Sequence, residues 1–129
     1  MKTRIAVFGA AIGGLIAIAC FSERGAGPAP NPTAECSVPV SVIDSMHFLV
    51  AIRDLAFQPD SISVPPGATV TWVNCEVGVE PHTTTADGGA WNSPELSVGT
   101  RFSHTFPGQG SFPYHCEPHP FMLGKVVVE

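Results

Sequence analysis

From Met46 onward, apolar side chains recur at every second position in short runs broken by turn residues, and that rhythm excludes most folds before any single residue is weighed. "HFLVAIR" places Phe48, Val50 and Ile52 on one face; "SISV" offers Ile62 and Val64, and "ATVTWVN" offers Val70 and Trp72. The pattern returns with Phe102 and Phe106, with Phe112, Tyr114 and Cys116, and with Val126 and Val128. Between these runs stand "QPD", "VPPGA", "ADGG", "NSPE" and "PGQG", all turn signals. No stretch of this region carries a helical apolar period. Short strands at regular spacing predict an all-β antiparallel sandwich, with 129 residues and 44% hydrophobic content sufficient for one core and one domain. "SVPVSVIDS", just ahead of Met46, is a candidate edge strand.

The N-terminus has a different character. Lys2 and Arg4 precede an uncharged apolar run from Ile5 to Ala19, the layout of an export signal. A bilayer-spanning helix needs about 20 apolar residues, and this run is shorter and diluted by glycine. "AIAC" resembles a bacterial lipobox, with Cys20 as a lipidated first residue, while Ala17 and Ala19 also form a simple A-x-A cleavage site. Residues 1–19 are therefore expected to be a signal peptide, probed further by the choice between lipidation and release. The proline- and glycine-rich residues 20–36 read as a tether, and 37–129 as the folded domain. Loss of Lys2 and Arg4 would take the net charge from −5 to −7, which argues against nucleic acid as a partner.

Four cysteines need an account. If Cys20 carries lipid and Cys116 belongs to the terminal loop, Cys36 and Cys75 remain to pair in an oxidising compartment. The competing reading makes Cys75 a metal ligand beside His82, which would leave Cys36 unpaired.

The chain closes with "YHCEPHPFMLGKVVVE", in which Cys116, His119 and Met122 follow one another at intervals of three. Pro118 and Pro120 stiffen the loop around His119, so a thiol, an imidazole and a thioether can converge. Upstream, "EPHTTT" offers His82 as a fourth donor. Two histidines, one thiolate and a weak axial thioether are the donor set of a blue-copper site, whereas zinc more usually takes four strong ligands.

On these residues the chain resembles the cupredoxins, and Cys-x-x-His-x-x-Met is similar to the short ligand loop of the amicyanins. The resemblance runs from "AFQPDSISVPPGATVTWVN" through "PHTTT" and "GTRFSHTF" to the end, covering residues 46–129. It implies a Greek-key β-sandwich and one type 1 copper held by His82, Cys116, His119 and Met122, with Asn74 bracing the loops. The sequence departs from the family at "CEVGVE" and at Glu117, which stands where a small hydroxyl residue is common. The implied function is one-electron transfer without catalysis. The implied partners are redox proteins, such as a cytochrome c or a dehydrogenase or oxidase, docking near His119. A monomer in the periplasm or another extracytoplasmic space, tethered if Cys20 is lipidated, completes the expectation.

The other histidines are expected to lie outside the site. His104 sits between inward Phe102 and Phe106 and reads as a core-edge residue, and His115 alternates to the face opposite Cys116. With His47 they do not supply the further ligands of a two-copper enzyme. The alternative function is a copper carrier that donates its ion, but only Met46 and Met122 remain in the mature chain to form an exchangeable cluster.

Overall fold

The computed structural model describes Cys36 and residues 42–129. The expected signal peptide, Cys20 and most of the tether lie outside the described residues. The strands are β1 (Val42–Asp44), β2 (His47–Arg53), β3 (Ala56–Gln58), β4 (Ser61–Val64), β5 (Thr69–Asn74), β6 (Thr85–Ala86), β7 (Arg101–Thr105), β8 (Gly110–His115) and β9 (Leu123–Val128). They form two sheets, one ordered β1-β2-β5-β7 with β3 also paired to β2, the other β4-β9-β8-β6. The expected sandwich is present, and the edge strand expected before Met46 is β1.

The sandwich is not purely antiparallel. β2 runs parallel to β5, and β4 parallel to β9. These pairings follow from chain crossings between the sheets, which alternation within a single strand does not report. They also bring Ile52 opposite Asn74, so the ends of β2 and β5 lie at the same end of the molecule as the loop between β8 and β9.

The inward positions read from the sequence fill the core: Val50, Ile52, Val70, Trp72, Phe106, Tyr114, Cys116, Val126 and Val128 are all buried. Aromatic rings dominate the centre, with Trp72 against Trp91 at 5.4 Å and Tyr114 edge-on to Trp72 at 5.4 Å. Gly124 makes room for Tyr114, because a Cβ there would lie 2.2 Å from the phenol ring.

The opposite faces of β2 and β5 are also covered at one end. Leu49, Ala51 and Val73 are buried there in a second small cluster with Cys75, against which Cys36 packs. Cys36 and Cys75 form a disulfide with Cα atoms 5.5 Å apart, and Arg53 donates to the Cys36 carbonyl. The outer face of the first sheet is therefore covered at the end where β5 finishes. The disulfide also removes Cys75 from the candidate metal ligands.

Two outcomes test this packing. Replacing Cys36 and Cys75 by serine should lower stability by about 2–4 kcal/mol, the range for a crosslink closing a loop of this length, as read from urea denaturation. Gly124→Ala should cost about 1–3 kcal/mol through overpacking against Tyr114, seen as a lower unfolding midpoint with an unchanged denaturant slope.

Candidate metal centre

Cys116 follows β8 directly, and the strand's alternation turns its side chain inward, where it is fully buried. His82 is also fully buried, held in an isolated bridge with Leu96 through His82 N–H to Leu96 O at 3.1 Å and the reciprocal bond at 2.7 Å. Thus His82 lies in a short bridged segment. His119 is half-buried at the loop tip. The loop closes on itself, since Met122 N–H donates to His119 O at 2.8 Å and Cys116 N–H donates to Met122 O at 3.1 Å.

These contacts bring the Cys116 Sγ to 3.6 Å from His82 Nδ1 and 3.7 Å from His119 Nδ1. The candidate donor atoms of all three residues lie within 4.8 Å of one another. A transition metal sits at about 2.0 Å from an imidazole nitrogen and about 2.3 Å from a thiolate, so N···S separations of this size suit one shared ion. Met122 is buried in the same core cluster as Cys116. The donor chemistry therefore fits copper, with sulfur softness favouring Cu(I) and imidazole accommodating both oxidation states.

Burial lowers the His82 pKa from its ordinary value, with Glu76 pulling in the opposite direction. The ring is accordingly neutral near pH 7. Its Nε2 lies 3.3 Å from Glu76 Oε1, close but without the alignment of a hydrogen bond. A carboxylate there favours the proton on Nε2, which leaves the Nδ1 lone pair facing the sulfur.

Glu76 has a further task. Its carboxylate accepts the N–H groups of Asp54 at 3.1 Å and Leu55 at 2.7 Å. Both residues have φ of 55°, the left-handed conformation of a tight hairpin turn, which costs a branched leucine about 1–3 kcal/mol. The two hydrogen bonds offset that strain and fix the turn beside His82.

Asn74 meets the bracing role implied by the resemblance. Its Nδ2 donates to Glu80 O at 2.9 Å and Leu96 O at 2.8 Å, while its Oδ1 accepts Glu76 N–H at 3.0 Å. Thr83, unremarked in the sequence, joins the two ligand segments: its N–H reaches the Cys116 sulfur at 3.4 Å and its Oγ1 accepts Glu117 N–H at 2.8 Å. The position after His82 in "PHTTT" was the available signal for Thr83, whereas no pattern marked Glu76.

The other histidines lie elsewhere. His47 pairs with Asp44 at 2.7 Å and His115 with Asp87 at 2.6 Å, both near the surface. His104 stacks on Trp91 at 5.1 Å, as a core-edge ring.

A buried thiol flanked by two imidazoles at one end of a two-sheet sandwich defines a small mononuclear copper protein. Residues 45–129 match the family described as copper binding proteins, plastocyanin/azurin family, and the chain belongs to that family. Amicyanin of Paracoccus denitrificans is 33% identical over 118 residues, covering 88% of this chain and 85% of that protein. Plastocyanin of Scenedesmus fuscus is 38% identical over 89 residues, covering 58% of this chain and 88% of that one. A solved reduced amicyanin mutant superposes with a TM-score of 0.60 at 32% identity, covering 67% of this chain and 86% of that chain. The protein is a blue-copper electron carrier and not an enzyme.

Asn74→Ala should destabilise the protein by about 1–3 kcal/mol, because backbone carbonyls and an amide are left buried without partners. The denaturation midpoint of metal-free protein checks this, and copper retention against a chelator should fall in parallel.

Proposed function

We propose that His82, Cys116 and His119 would hold one copper ion, with the thioether of Met122 as a fourth, weaker donor, and that the chain passes single electrons between exported redox proteins. The observation that carries this reading is the thiol placed 3.6 and 3.7 Å from two Nδ1 atoms in a buried, internally braced pocket. When bound, copper supplies a one-electron Cu(II)/Cu(I) couple. The chain's contribution is to hold the donors in place beforehand, which limits rearrangement as charge changes. Thr83 N–H, donating toward sulfur, withdraws electron density from the thiolate and so tunes the potential. Pro118 has no N–H with which to add another such bond.

The surface around His119 suits a transient encounter. Leu55, Val77, Val79, Val98 and Phe121 are exposed in turns or loops at this end or beside it, with Leu123 at the start of β9 and Val77 98% accessible. Apolar side chains left in water at one end mark an interface. Exposed Asp54, Glu80 and Glu117 lie among them, which favours a partner with a basic rim, such as a cytochrome c, a dehydrogenase or an oxidase. Export by residues 1–19, a tether through lipidated Cys20, a periplasmic location and a monomeric domain of residues 37–129 complete the proposal. The complete burial of Cys116 and His82 favours retention of the ion over its exchange, and so electron transfer over copper delivery.

Copper-loaded protein should show an intense thiolate-to-Cu(II) absorption band, abolished in Cys116→Ser and kept, with a shifted potential, in Met122→Leu. Visible spectroscopy and voltammetry read both. A full band in Cys116→Ser would reject the ligand set, and a colourless protein that takes only Cu(I) and passes it to an apo-acceptor would favour the carrier.

A further inference from the structure

The metal end does not account for the aromatic rings that run from it across the core. Tyr114 lies two residues before Cys116 on the same inward face, and both belong to the central cluster. Its ring meets Trp72 at 5.4 Å and Trp91 at 5.7 Å. Trp72 and Trp91 stack at 5.4 Å with 30° between their planes, and Trp91 stacks on His104 at 5.1 Å with 29°. His104 is half-exposed and, with Ala90, Phe106, Pro107, Gln109 and Phe112, lines a groove of about 380 Å³. The groove includes the loop between Thr105 and Gly110, remote from Cys116, because Thr105 pairs with Thr69 at the start of β5 and Gly110 begins β8.

We propose that Trp91 and Trp72, linked to Cys116 through Tyr114, form a second electron path that carries oxidising equivalents from the His104 groove to the metal. This rests on copper being held at Cys116. Electron tunnelling weakens exponentially with separation, and rings in contact divide a long transfer into short steps. The indoles also suit transient oxidation without proton loss. Trp72 Nε1 lies beside the hydroxyl of Tyr114, and Trp91 Nε1 donates to the hydroxyl of Thr84 at 3.1 Å, both weak bases. An oxidised indole here therefore remains a radical cation and a strong electron acceptor.

The sequence balances. A one-electron oxidant of radical class takes an electron from Trp91, becoming its anion. The electron that refills Trp91 comes from the reduced metal–thiolate unit, which becomes oxidised by one, and no proton or bond changes hands. The consequence is protection: the reduced carrier discharges a radical that would otherwise modify tryptophan covalently.

Pulse radiolysis with azide radical as the oxidant tests this on the full mature chain loaded with Cu(I), using Zn(II)-loaded protein as a filled but redox-inert control. In the Cu(I) protein the tryptophan radical should decay at least tenfold faster than in the Zn(II) protein, at a rate independent of protein concentration. The thiolate–Cu(II) band should grow as the radical disappears. Trp91→Phe, its fold checked by the band of the copper-loaded variant, should reduce the yield of that growth at least threefold. Peptide mass spectrometry after mild oxidation should find more oxidised Trp91 in the Zn(II) protein than in the Cu(I) protein. Equal radical lifetimes in the two metal forms would overturn the path and leave the rings as packing alone, as would band growth that precedes radical decay. The metal comparison decides even if Trp91→Phe fails to fold. Failure to form the band on loading with Cu(II) would instead overturn the copper reading itself.

Discussion

The side-chain amide of Asn74 is the constraint on which the metal end depends. It terminates β5, is fully buried, and binds the loop before His82, the strand partner of His82 and the backbone of Glu76 at once. A buried amide is tolerated only when its donors and acceptor are satisfied. Here that requirement fixes the path of the chain: residues 76–82 cannot move without breaking it. His82 is placed by this path, Glu76 by the same path, and through Glu76 the strained turn at Asp54 and Leu55.

A second tie crosses between the segments that carry the ligands. Thr83 contacts both the sulfur of Cys116 and the backbone of Glu117, so its position couples His82 to the C-terminal loop. The loop is further closed by its own backbone bonds around His119 and Met122. Rigidity in these elements serves electron transfer, because ligands held in place need not reorganise when the metal's charge changes. It also explains how Val77 and Val79 can stand in water: their loop is anchored at both ends, so its exposed tips need not collapse onto the core.

The disulfide extends this logic to the other side of the sheet. Cys75 separates Asn74 from Glu76 in sequence, and its bond to Cys36 covers Leu49, Ala51 and Val73. Stability supplied there is stability supplied next to the metal end. Meanwhile the aromatic core joins that end to the remote groove, so one set of rings supports the sandwich and, in the proposed path, conducts through it.

By itself the sequence determined the β architecture, because alternation at Phe48, Val50 and Ile52, at Val70 and Trp72, and at Tyr114 and Cys116 is a local property of strands. The spacing of Cys116, His119 and Met122 likewise announced copper chemistry, since these residues share one short loop and one preference for soft metals. It also narrowed the cysteine pairing by elimination, with the geometry supplied by the fold. Tertiary structure decided what depends on distant segments meeting. The parallel pairing of β2 with β5, the burial of Leu49 behind Cys36, and the approach of Thr83 N–H to sulfur all arise between residues with no shared local pattern. Glu76 shows the reason most plainly: in sequence it is one acid among eleven, and only the fold sets its carboxylate between a histidine and a strained turn.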